Sequence, residues 1–263
     1  MLDKIYKKLA VLLILTLSIF LVACENESVE PSETYLQQTT QLTTYPAPPP
    51  EFKYEFKGNA VTISEYVGEG GKVTIPDKIL GSPVTKIKDS AFALNQQVTE
   101  VIIQENMKLI GAFAFAGCDN LRRVELPESL KTIGEGAFSV CESLEIVIMS
   151  KNVEEIQIAA FRGCKNLDDI TLPFGLTKIE ESIFENCFAL KVISIPEGVE
   201  IIKLNAFLNC KSLEEVGLPE SLKSISWDAF AGCKSLKSVT LPNEEVFIQE
   251  GAFDKGINLK FAE

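Results

Sequence analysis

The residues most able to do chemistry in this chain of 263 are its seven cysteines, and six of them, Cys118, Cys141, Cys164, Cys187, Cys210 and Cys233, recur every 23 positions. Thiols can form disulfides, ligate zinc or act as nucleophiles. The chain contains no histidine, which removes the Cys-His and Ser-His-Asp systems together with His-ligated zinc, copper and non-haem iron. Carboxylates are the remaining candidates. Adjacent acids such as Glu154-Glu155, Asp168-Asp169 and Glu214-Glu215 have the chemistry for hydrolysis, but they fall on variable positions of the same period, as a solvated face would. No Gly-rich phosphate loop, nucleophile elbow or calcium loop occurs. We therefore expect no catalytic residue, no metal site and no cofactor. With 25 basic against 37 acidic residues, net −12, the chain lacks the basic excess that nucleic-acid binding requires.

The elements that position the thiols follow from the period. Phe92, Phe115, Phe138, Phe161, Phe184, Phe207, Phe230 and Phe253 are also 23 apart, each cysteine lying three residues behind its phenylalanine. One unit, residues 121–143, reads LRRVELPESLKTIGEGAFSVCES, or generally L-x-x-V/I-x-L-P-x-x-L-x-x-I-x-x-x-A-F-x-x-C-x-x. The alternating Val124 and Leu126, closed by Pro127, read as a short strand that proline ends for want of an N–H. Leu130 and Ile133 read as a second extended piece, and the Ala-Phe-x-x-Cys spacing as a short helical turn. A unit of this length cannot bury its own apolar residues, so units must stack into a solenoid. Eight rungs at about 4.8 Å give a body roughly 34 Å long.

This unit resembles the BspA-like, or Treponema-type, bacterial leucine-rich repeat. The resemblance covers residues 84–263, about eight units, and VTIPDKILGSPVTKI before them is similar to an opening repeat. It implies a curved right-handed solenoid with a parallel sheet on its concave face, displayed on secreted or surface proteins and used for adhesion or protein binding. The departures are Asn95 and Gly256 for cysteine, Ser150 for proline and Ile183 for alanine. Residues 52–83, alternating apolar and polar around Gly58-Asn59 and residues 68–71, read as a β-rich N-terminal cap with a hairpin.

Stacking also decides what the thiols do. Equivalent positions on neighbouring rungs are about 4.8 Å apart with parallel Cβ vectors, whereas a disulfide needs Cβ atoms about 3.8 Å apart and facing each other. The cysteines are expected to be free, buried and structural, as are the phenylalanines.

At the N-terminus, Lys4, Lys7 and Lys8 precede an apolar run that ends in Leu21-Val22-Ala23-Cys24. A basic flank and an apolar stretch too short to span a bilayer read as a signal peptide over residues 1–23. The ending resembles the bacterial lipobox, which implies diacylglycerol on Cys24 and export to the outer face of a cell membrane. Cleavage would leave 22 basic and 36 acidic residues, so the acyl group is the expected membrane contact. Residues 24–51, rich in Thr, Gln and Pro, read as a flexible linker.

Where outward strand positions turn apolar, a partner site is expected. Ile146, Ile148 and Val192 stand where solvent is expected and Phe174 where other units carry Glu128, Glu197 or Glu220. With Asp169 and Thr171 they form a candidate concave patch. Trp227, Ile158 and Leu204 share the slot of Glu135 and Glu181 and form a second candidate row. The expected function is binding of an extracellular or envelope protein by a monomeric surface lipoprotein. The alternatives are an assembly role in the cell's own envelope and, less favoured, an enzyme acting on surface glycans.

Overall fold

The computed structural model describes residues 49–261; the expected signal peptide, Cys24 and nearly all of the linker lie outside them. Strands β1 (Phe52–Lys57) and β2 (Ala60–Tyr66) form an antiparallel hairpin that turns at Gly58, whose φ of 61° suits glycine. β3 (Gly71–Ile75), β4 (Lys78–Ile79) and β5 (Ser82–Ile87) follow. β2 pairs in parallel with β5, and β3 with β6 (Val98–Ile103). The segment expected as a cap therefore supplies the first strand of each parallel ladder, with β1 and β4 as its antiparallel additions.

From there strands of the two ladders alternate along the chain. The first ladder continues with β8 (Arg123–Glu125), β10 (Ile146–Ile148), β13 (Val192–Ser194), β15 (Glu215–Gly217), β17 (Ser238–Leu241) and β19 (Asn258–Phe261). The second holds β7 (Leu109–Ile110), β9 (Thr132–Ile133), β11 (Glu155–Ile156), β12 (Lys178–Ile179), β14 (Ile201–Ile202), β16 (Ser224–Ile225) and β18 (Phe247–Ile248). Partners such as Ile146 and Arg123, or Ile202 and Ile225, are one period apart. In β10, β13 and β15 the middle residue is buried and its neighbours are exposed, the alternation a half-buried strand demands.

The Ala-Phe-x-x-Cys segment is a run of turns, and no helix occurs among the described residues. Its N–H groups work alternately. Ala116 and Cys118 donate back to Phe113 and Phe115 at 3.1 Å, while Phe113, Phe115 and Gly117 donate to Glu135, Ala137 and Ser139 of the next turn at 2.7–2.8 Å. An α-helix sends every N–H along its own axis, so sideways donation requires left-handed backbone at intervals. Phe113 has φ 54° and Gly117 φ 68°, and Ala159 and Gly163 repeat the pair at 56° and 73°. The turn segments thus form a third hydrogen-bonded edge between rungs, which outweighs local helix formation.

A bulky residue in this conformation needs a small one beside it on the next rung. The Phe113 ring lies where a Cβ on Gly136 would come within 2.4 Å of it, and Gly136 itself has φ 54°. Gly136→Ala is expected to cost about 2–4 kcal/mol from left-handed strain plus overpacking. Phe113→Ala in the same chain should recover the packing part, as read by denaturant titration of both variants and the double variant.

The core is continuous. Phe92 to Phe253 stack with ring centroids 4.6–5.7 Å apart. Beside this column each buried thiol donates to the carbonyl of the preceding turn's phenylalanine, as Cys164 does to Phe138 at 3.2 Å. Cysteine fits because it is small and apolar and still offers a weak donor.

The regularity breaks in two places: β15 and β17 are not paired with each other, and around residues 169–172 both ladders open. Residues 169–172 make no strand pairing with either neighbouring rung, and β11 and β12 are likewise unpaired with each other. The turn edge still holds, through Ala159, Phe161 and Gly163 donating to Glu181, Ile183 and Glu185. Buried Ile183 replaces the alanine of other turns, and the nearby Phe161–Phe184 spacing is the widest in the stack, 5.7 Å. Extra carbons in a close-packed core must be accommodated, and the widest ring spacing falls beside them.

Candidate functional site

The outward face of the first ladder changes character along its length. On the early rungs its charges neutralise one another: Lys72 pairs with Glu100 at 3.2 Å, and Arg123 reaches Glu100 at 3.6 Å and Glu125 at 2.7 Å. The next rungs expose Ile146, Ile148 and Val192, each a little over two-fifths accessible. Phe174 is 74 % exposed.

Phe174 departs from a structural pattern. At two corners that follow first-ladder strands, an acid accepts backbone N–H groups from the following rung. Glu105 accepts from Glu128 and Ser129 at 3.1 Å, and Glu197 from Glu220 at 3.0 Å. At Ser150, where proline is expected, the hydroxyl donates to Glu128 and accepts from Asn152 instead. A phenyl ring accepts no such bond, so Phe174 lacks the contact that Glu105 and Glu197 make and leaves a large apolar surface in water.

The structure brings Asp169, Thr171, Phe174 and Val192 to one depression of about 340 Å³. Ile148 lines a neighbouring one of about 560 Å³ with Ile102, Leu126 and Pro127, and Ile146 faces a third beside Asp168 and Lys191. The candidate patch therefore occupies one face as adjoining shallow grooves. The second candidate row is less continuous. Leu204 and Trp227 lie on successive turns, but Glu181 stands between them and Ile158 in the same column. Trp227 and Ile158 are exposed and Leu204 is half-buried.

The adjacent acids are tied into the surface or open to solvent: Lys131 holds Glu154 at 2.6 Å, Lys191 holds Asp168 at 3.3 Å, and Glu214 and Glu215 are exposed. Glu180 is the buried charged side chain among the described residues, with one carboxylate oxygen 2.7 Å from Lys178 and the other 2.7 Å from Lys203. Burial pushes its carboxyl up, but the two ammonium groups outweigh this and hold it below the usual range. This ion triplet ties two rungs of the second ladder together.

All six repeat cysteines are buried and free. Burial raises Cys118 and Cys233 from an ordinary 9.0 to about 12, and pushes the four inner thiols well above that ordinary value. Such thiols are poor nucleophiles and poor metal ligands at neutral pH.

Some features escaped the sequence reading. Ile102 belongs with Ile148, and its position in the strand pattern could have placed it there. Leu94, Phe113 and Val140 are exposed on the turn edge, and the signal for them was glycine recurring in their columns at Gly117, Gly136 and Gly163.

With this geometry in place, comparison with known proteins is informative. The BspA type leucine rich repeat region matches in six copies over residues 71–191 and 141–260. A leucine rich repeat protein of T. pallidum is 31 % identical, over 73 % of this chain and 91 % of that one, with a TM-score of 0.68. One from Bacteroides ovatus is 25 % identical, over 75 % and 65 % of the two chains, with a TM-score of 0.53. A leucine rich cell surface protein of Faecalibacterium prausnitzii shares the fold at 20 % identity, over 82 % and 94 %, with a TM-score of 0.50. No curated protein matches.

Proposed function

The chain belongs to the BspA-type leucine-rich repeat family, and on that premise we propose that it is an exported, lipid-anchored binding protein whose first-ladder face holds a partner protein. The observation that carries the reading is the exposed set Ile146, Ile148, Phe174 and Val192 on three successive rungs. Singly exposed apolar residues are ordinary, but a grouped set bordered by acids marks an interaction surface. Its position on a stacked scaffold fits the extended binding surfaces that solenoids offer. We read the role as binding without catalysis, in keeping with a repeat scaffold whose conspicuous polar groups serve its own stacking. The anchor rests on Lys4, Lys7 and Lys8, the apolar run and Leu21-Val22-Ala23-Cys24, with two or more acyl chains on Cys24 giving stable attachment.

One experiment addresses both halves. The full chain is produced in a bacterium as wild type and as Cys24→Ser, and membranes are separated from soluble material. Wild type is expected with the membranes and the variant outside them; equal partition would overturn the anchor. Membranes bearing wild type, Ile148→Asp or Phe174→Asp are then exposed to extracellular-matrix and envelope proteins. Each variant is expected to lose about tenfold or more of the captured partner. Full retention by correctly folded variants would overturn the face.

A further inference from the structure

Three of the depressions along the first ladder have walls of one sign, while the groove beside Ile146 holds Lys191, already paired with Asp168. Asp77, Glu105 and Glu125 line the first, beside Ile102 and Ile148. Asp169 lines the second, with Phe174 and Val192. Glu214, Glu215 and Glu220 line the third, around Gly217. These are seven carboxylates with no lysine or arginine among the lining residues. Glu125 is paired with Arg123; the other six make no salt bridge among the described residues. Nor do carboxylates converge, among the described residues, in groups that could hold a metal ion.

Building on the binding face proposed above, we infer that its partner presents an extended polypeptide segment with apolar side chains in the middle and lysine or arginine at both ends. With Lys72 and Arg123 paired with Glu100 and Glu125, the unpaired charge at both ends of the ladder is acidic around an apolar middle, and a complementary segment carries the opposite charge at its two ends. The trough crosses seven rung intervals from Thr74 to Thr240, about 34 Å at about 4.8 Å each, which an extended chain of about ten residues spans. A purely cationic chain would leave Phe174 in water, and a purely apolar one would leave the carboxylates facing unmatched surface. The field of the acids steers the segment to the face and the apolar middle sets its position.

The test uses fluorescence anisotropy of labelled peptides on the full-length chain. The probe KKTLTFTLKK is compared with EETLTFTLEE and KKTSTSTSKK. The first is expected to bind at least about tenfold more tightly than either of the others and to weaken as salt is raised. Phe174→Ser, and separately Asp169→Asn with Glu215→Gln, should each weaken it at least about fivefold, and Trp227→Ser should not. Equal binding of KKTSTSTSKK would reduce the effect to charge alone and overturn the inference, as would equal binding of EETLTFTLEE or indifference to Phe174→Ser. A captured protein that is lost with Phe174→Asp yet contacts the face through an acidic segment would leave the binding face standing and remove only the cationic partner.

Discussion

Phe161→Ala is expected to lower the stability of the solenoid by about 3–5 kcal/mol, the usual range for removing a fully buried ring. Phe161 has no solvent exposure and stacks between Phe138 at 5.5 Å and Phe184 at 5.7 Å. In a solenoid each turn is held by its neighbours, so the position of a lost contact matters as much as its size. Here it falls where the strand ladders are open, between β11 and β12 and on both sides of residues 169–172. The turn edge and the ring stack carry the connection, so Phe161→Ala removes a large share of what joins the earlier turns to the later ones. Denaturant unfolding followed by circular dichroism should show the midpoint falling and the single transition broadening or dividing. Phe174→Ala, removing an equally large but exposed ring, should stay within about 0.5 kcal/mol of wild type. Equal effects of the two substitutions would mean that the stack does not bear the load assigned to it.

The second large effect is alkaline instability. Because Cys118 and Cys233 titrate at about 12 in the folded chain and the four inner thiols well above the 9.0 of an unfolded thiol, the unfolded chain loses protons first as pH rises. Their contribution is therefore fully present below about pH 9 and is lost progressively toward 12. Each thiol can contribute a slope of about 1.4 kcal/mol per pH unit in that window, and the solenoid buries six. The melting temperature should be level near neutrality and fall steeply above pH 9, and Cys164→Ala should make the fall shallower by about one-sixth. A melting temperature that stays flat to about pH 11 would contradict burial of the thiols in protonated form.

Much of this was legible in the residues. The phenylalanine and cysteine columns, the strand ended by proline and the second extended piece all follow from periodicity, because a stacked unit must repeat whatever it buries. Ile148 and Phe174 were legible as departures from that repeat. The turn segment was not: Ala-Phe-x-x-Cys has helical spacing, and only the demand of the next rung for N–H donors turns Phe113 and Ala159 left-handed. The open ladders were not legible, since strand pairing depends on distances between rungs that the residues of one rung do not set.

Sequence by itself determined the period, the stacking, the identity of the core and the free state of the thiols, since these depend on which residues recur and a repeat of fixed length aligns them. Tertiary structure alone decided that the turns form a third ladder, that the strand ladders part at residues 169–172 and between β15 and β17, and that unpaired acids line separate depressions on the face that carries Phe174. Those features arise from distances between residues on different rungs, and such distances exist only once the units are stacked.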